Sequence, residues 1–380
     1  MKILIAPDKF KGSLTASQVA TAIATGLDLP PSQLDLCPLA DGGEGTVHAL
    51  TSATNGTLHT LPVTGPLPSM TISATYGILG SSPKTAVIEM SAAAGLALLP
   101  PHLRNPLHTT TFGVGQLILH AHRSGASHII LGIGGSATTD AGVACAQACG
   151  AKVFLNTPQG PRQLLRPFTG SDLPSFHSIS PIPLPNLHIT VACDVTNPLF
   201  GPTGAAHIFS PQKGATPPIV DLLDQGLQHL AAHTNPSLAN LPGAGAAGGL
   251  GFAMAAFFHA ELLSGIDIVL SAVHFSDRLR SANLCITGEG HLDEQSLSGK
   301  TPLGVTRACR QANVPCIALV GQSTLTPAQA QQAGFSRIEC IGPNLPIPDR
   351  IAHAESLLIQ AARSLKSDLP NLCKTPSIPL

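Results

Sequence analysis

The amino-acid sequence predicts a two-domain α/β protein built on parallel sheets, and three observations carry that prediction. Short apolar runs alternate with helix-period patterns along most of the chain, the order from which parallel sheets flanked by helices are assembled. The 380 residues exceed what one core ordinarily serves. Hydrophobic residues make up 43% of them, enough to fill more than one buried layer.

The first strand is the apolar run at 2–6. A helix follows over 15–27, where Thr15 and Gln18 have the spacing of a capping box. Further strands are expected at 34–39, 85–90, 128–133, 187–192, 284–287 and 315–320. Helices are expected near 43–53, 113–123, 139–149, 219–232, 246–260, 302–312 and 350–365. The rhythm breaks between Pro158 and Pro185, where seven prolines and little periodicity predict a surface excursion without regular structure. The tail after Leu369 is expected to be disordered.

Composition excludes several classes of function. Charged residues are only 11%, and 20 Lys+Arg nearly balance 21 Asp+Glu. Such a chain has no basic field for nucleic acid or a membrane surface. Asp8 interrupts the apolar start too early for a signal peptide, and residues 243–258 are too short and Gly-rich to span a bilayer, so a cytoplasmic location is expected. The nine cysteines show no disulfide spacing, which suits a reducing compartment. Cys145 and Cys149, four apart on an expected helix without a nearby third ligand, read as packing residues. His120 and His122 are two apart on a helix and point in different directions.

The functional signal lies in glycine-rich turns. In HIILGIGGSATTDAG (128–142) a strand ends in Gly134, Gly135 and Ser136, and a helix is expected from Thr139 or Asp140. Glycine amides and a helix start favour a bound phosphate or carboxylate, while a plain tight turn capped by Thr139 is the simpler alternative. LPGAGAAGGLG (241–251) contains GxGxxG at Gly243, Gly245 and Gly248, but NPSLANLP before it does not read as a strand. A nicotinamide dinucleotide is therefore not expected there, which leaves an anion near Gly245 or close helix packing. Gly299-Lys300-Thr301 ends like a P-loop, yet Glu294 stands where that motif needs its first glycine. Thr301 with Pro302 still starts a helix and puts Lys300 beside it as a phosphate contact.

Acids near these turns supply the rest of a phosphoryl-transfer site, which needs Mg²⁺ on the phosphates and a group that orients or deprotonates the accepting hydroxyl. Asp8 and Asp194 each follow a strand, where α/β sites gather their residues. With Lys11 they are the expected catalytic residues. Glu289 and Asp293 flank Gly290 and are the expected metal ligands, and Asp41 and Glu44 lie in the DGGEG turn. Gly134, Gly135, Ser136, Lys213, Gly245 and Lys300 are the expected substrate and nucleotide contacts, with Lys9 a further cation in a turn.

Several stretches resemble the bacterial-type glycerate kinases: IAPDKFKGSLTA (5–16), PLADGGEGT (38–46), VTGPL (63–67), IEMSAAAGLALL (88–99) and RNPLHTTTFGVGQLI (104–118). GIGGSATTDAG (132–142), VACDVTNPLFGPTGAAHIFSPQKGA (191–215), PGAGAAGGLG (242–251) and TGEGHLDEQSLSGKTPLGV (287–305) continue the series in family order. The resemblance implies phosphorylation of D-glycerate dependent on ATP and Mg²⁺, with 2-phosphoglycerate the expected product. It also implies a Rossmann-like domain formed by residues 1–60 and 285–380, with a second α/β domain, 61–284, inserted into it. APDKFK and TGEGHLD would then share one cleft. Three positions depart from the family pattern: His291 replaces an Arg, Gln116 a Glu, and PRQLLRPFTG a Gly-rich segment. The alternatives are a kinase of another small hydroxy acid, a 3-phosphoglycerate-forming reaction, and a non-catalytic anion-binding protein.

Overall fold

The computed structural model describes residues 1–80, 83–293 and 301–373. Lys300, expected as a phosphate contact, lies outside the described residues, as does most of the tail. In chain order the first strands are β1 (Ile3–Ile5), β2 (Leu34–Leu36), β3 (Thr57–Thr64), β4 (Thr71–Ile78), β5 (Thr85–Glu89), β6 (His128–Gly132) and β7 (Val153–Leu155). They continue with β8 (Arg162–Gln163), β9 (Phe176–Ile179), β10 (His188–Ala192), β11 (Glu261–Leu263), β12 (Leu284–Leu292), β13 (Cys316–Ser323) and β14 (Arg337–Cys340).

The chain divides into two compact units. Unit 1 is Met1–Asp41, His48–Asn55 and Gly265–Leu380, and unit 2 is Gly42–Val47 and Gly56–Ser264. Apart from the short exchange at 42–47, the chain leaves unit 1 at 55/56 and returns at 264/265, rather than at the expected 60/61 and 284/285. The helix Phe275–Arg280 carries the reason. Arg278 donates to the Asp35 carboxylate at 2.6 Å and to the Ala53 carbonyl at 2.7 Å, which ties this stretch to unit 1.

Unit 1 has a five-stranded sheet in the order β14-β13-β12-β1-β2, parallel throughout. Ile3, Leu4 and Ile5 are fully buried, as a parallel strand covered on both faces requires. The helix Ala16–Leu27 contributes Val19 and Ile23, and the helix Ala354–Leu365 contributes Leu358, to one core with Ile3 and Ile5. The Thr15–Gln18 capping box forms as expected. Because β1 and β12 are paired in register, the APDKFK and TGEGHLD segments emerge side by side.

Unit 2 has a six-stranded sheet ordered β11-β10-β6-β5-β4-β3. Pairing is parallel from β11 to β5 and antiparallel for β4 and β3. Pro62 sits in β3, tolerated there because β3 is an edge strand. The proline-rich region differs from expectation, since β8, β7 and β9 form a small antiparallel sheet. Its prolines interrupt pairing without preventing it, because other contacts fix the loops. Arg166 forks onto Asp172 at 2.8 and 2.7 Å, and the rings of Phe168 and Phe176 are buried edge to face. The chain end also differs, with a helical turn at Leu369–Leu372 that buries Leu369. Among the described residues no helix is long and apolar enough to cross a membrane.

Candidate functional site

Unit 1 places its carboxylates at a point where the chain reverses direction across the sheet. From β1 the chain moves to β2 on one side, and β12, β13 and β14 lie on the other. In parallel sheets the crevice beyond the C-terminal ends of two such strands is where ligands bind. Asp8 leaves β1 at that edge, its amide donating to the Gly288 carbonyl of β12 at 2.8 Å. Glu289 follows one residue later on β12, and both side chains are buried. Lys11 stands exposed at the tip of a tight reversal closed by reciprocal Phe10–Leu14 backbone bonds of 2.9 and 3.0 Å.

The Asp8 carboxylate is held in a fixed geometry. One oxygen accepts from the Lys9 amide at 2.6 Å and the other from the Thr301 hydroxyl at 2.5 Å. Thr301 is the first residue of the helix Thr301–Gln311. Burial, and secondly the Asp41 carboxylate, push Asp8 up to about 6, against the lowering effect of its two hydrogen bonds. A buried carboxylate with a like-charged neighbour is a hard oxygen donor whose charge a divalent cation would neutralise. Asp293 lies just beyond β12, with an oxygen 3.8 Å from Nδ1 of the half-exposed His291 side chain. That distance is too long for a hydrogen bond.

Unit 2 presents a second set at the equivalent edge of its own sheet. β6 and β10 are parallel neighbours in which Gly132 pairs with Ala192. Gly134 and Asp194 therefore sit two residues beyond matched positions. Gly134, Gly135 and Asp194 are exposed and Ser136 is half-buried, which leaves backbone amides and a carboxylate accessible. Gly135 has φ +71, a conformation that costs a side chain-bearing residue energy.

Other expectations are corrected. The helix after this turn is Val143–Ala148, not one starting at 139 or 140. Asp140 is the cause: its fully buried carboxylate accepts from the Thr111 amide and hydroxyl, both at 2.8 Å, and from the Gly142 amide at 3.1 Å. The Gly134–Ser136 turn thus does not stand on a helix start. Lys213, expected at an anion, is 1% exposed, and its ammonium donates to the Thr138 carbonyl at 2.6 Å. Burial pulls it down to about 7, opposed by the Asp140 charge. In this structure Lys213 props the glycine turn from beneath. Gly245 is also buried, and a Cβ there would lie 2.1 Å from the Pro198 carbonyl oxygen. Likewise a Cβ on Gly248 would lie 2.0 Å from the Thr138 oxygen. The 242–251 loop is therefore a packing surface for residues 138–141, where the Ala141 amide donates to the Gly248 carbonyl at 3.0 Å.

Sequence reasoning missed Glu89. Its carboxylate accepts from the Gly45 and Val47 amides at 3.0 and 2.8 Å and so shapes the DGGEG turn. Its position at the end of an apolar strand was the available signal.

A sequence profile of the glycerate kinase family matches residues 3–369. The chain belongs to the glycerate kinase family. It is 43% identical to a glycerate kinase of Bacillus subtilis over 99% of both chains. It is 44% identical to a glycerate 2-kinase of Escherichia coli, covering 97% of this chain and 98% of that one. A crystal structure of a protein assigned as glycerate kinase 2 in Salmonella typhimurium LT2 superposes with a TM-score of 0.85 at 41% identity over 98% of each chain. Membership in this kinase family makes the protein a transferase that uses a nucleotide.

Proposed function

We propose that the protein transfers the terminal phosphoryl group of ATP to a hydroxyl of D-glycerate, giving 2-phosphoglycerate. The observation that carries this reading is the buried Asp8 carboxylate at the reversal point of a parallel sheet, in a chain that matches glycerate kinases along nearly its whole length. Asp8, Glu289 and Asp293 are the residues that would hold Mg²⁺, as carboxylates with hard oxygen donors on the neighbouring β1 and β12 segments. When bound, Mg²⁺ supplies charge neutralisation on the phosphates. Lys11 supplies a positive charge to the anionic ligand from an exposed loop tip. In unit 2 the Gly134–Ser136 amides donate hydrogen bonds to an anionic group, and Asp194 orients the accepting hydroxyl and takes its proton. Glu89, Asp140 and Lys213 touch no ligand in this account and hold the two turns in shape.

The test is a coupled assay of ADP release with ATP, Mg²⁺ and D-glycerate, each omitted in turn. ADP release that needs all three supports the reading. Release indifferent to glycerate, or greater with another hydroxy acid, would replace the substrate.

A further inference from the structure

Away from the carboxylate edge of its sheet, three cysteines converge in unit 1. Cys285 lies in β12, Cys309 in the last turn of the helix Thr301–Gln311, and Cys316 at the start of β13. Their sulfur atoms all lie within 4.8 Å of one another. Cys285 is 0% exposed and the other two 1%. Cys285 and Cys316 are register partners on adjacent parallel strands, so the ladder fixes two ligands and the helix brings the third. The Cys285 and Cys316 S–H groups favour a thiolate at Cys309, whereas burial pushes Cys285 up.

We propose that this trio binds one Cu(I) ion, or a monovalent cation of the same soft class, through three sulfurs. Soft sulfur ligands select soft cations. Structural zinc takes four protein ligands, and among the described residues the group contains three. Each coordinating thiol loses its proton to solvent as its Cu–S bond forms, so three S–H bonds are exchanged for three Cu–S bonds, three protons leave, and no electron moves. Entry is by the Gln311–Asn313 turn, which is exposed and lies between Cys309 and Cys316. Occupancy would tie together β12, β13 and the helix whose first residue, Thr301, bonds Asp8.

The experiment uses the full chain, reduced and metal-free, titrated anaerobically with Cu(I) against bicinchoninate. One retained equivalent is expected, with about three protons released per ion. Cys309→Ala and Cys316→Ala should each lose that equivalent, while Cys145→Ala and Cys149→Ala keep it. No retained ion, or retention unchanged in Cys309→Ala, would mean that the three thiols are core packing and nothing more. Copper X-ray absorption on the wild type decides the matter if the variants fail to fold. Three sulfur neighbours support the site, and nitrogen or oxygen neighbours overturn it.

Discussion

Replacing Asp8 by Asn should make the protein more stable and far less active, because the same burial that destabilises this carboxylate fits it for chemistry. The side chain is 8% exposed, and its folded value rises from 3.8 to about 6. That rise corresponds to about 3 kcal/mol between the two protonation states. The sign follows from linkage: an acid whose folded value is raised binds more protons in the native state between 3.8 and about 6. Stability from this group is therefore present below that window and lost as pH rises through it. Asn is neutral throughout. Its oxygen still accepts from the Lys9 amide, and its NH₂ donates to the Thr301 hydroxyl, so both contacts survive with reversed polarity at one. Urea unfolding of the two proteins across the window should give nearly equal stabilities at its acid end. At pH 7 the variant should lead by up to about 3 kcal/mol. Added Mg²⁺ should narrow that lead by stabilising only the wild type. With one Mg²⁺-holding carboxylate gone, the variant's kcat should fall by roughly 10²–10³, the scale of losing one electrostatic stabiliser of the transition state. An advantage that does not grow with pH would refute the burial argument, and an unchanged kcat would remove Asp8 from the chemistry.

Asp194 is exposed, so Asp194→Asn should lower kcat by roughly 10² or more without moving the thermal midpoint; equal kcat values would eliminate its role. Gly135→Val forces a β-branched residue into φ +71 at a cost of about 1–3 kcal/mol. It should raise KM for ATP or glycerate, and which of the two rises identifies the anion at the turn, whereas two unchanged constants would exclude the turn from binding. Lys213 has a folded value lowered from 10.5 to about 7, so the unfolded chain binds the extra proton between those values and wild-type stability gains there as pH rises, by up to about 1.4 kcal/mol per unit. Lys213→Met lacks that gain, so unfolding curves of the two proteins should converge or cross toward alkaline pH, and parallel curves would contradict a buried, titrating ammonium.

Much of the fold was legible because local pattern and tertiary packing agree. The fully buried run Ile3–Ile5, the Thr15 capping box and the β6 run before Gly134 all follow from residue type and spacing. The hairpin of β3 and β4 was missed, since Thr-rich alternation interrupted by Pro62 reads as loop until β3 is known to be an edge strand. The candidate site was legible in location and less so in role. Asp8, Gly134 and Asp194 fall just beyond strand ends, which the sequence reveals, whereas Glu289 lies within β12. Asp140 reads as a helix start and Lys213 as an anion contact, yet both turn inward toward partners 29 and 75 residues away. Nothing local encodes such distant pairing. The convergence of Cys285, Cys309 and Cys316 is hidden for the same reason, since three separate elements must fold before the thiols meet.

The most direct test of glycerate phosphorylation is the proton-coupled ³¹P spectrum of the product made from D-glycerate, ATP and Mg²⁺. Phosphate on the 2-hydroxyl neighbours a single carbon-bound proton, so the account predicts a doublet that accumulates with ADP. A triplet, from coupling to the two protons of the 3-carbon, would contradict the proposed product. Inorganic phosphate as the only new resonance would contradict transfer to glycerate altogether.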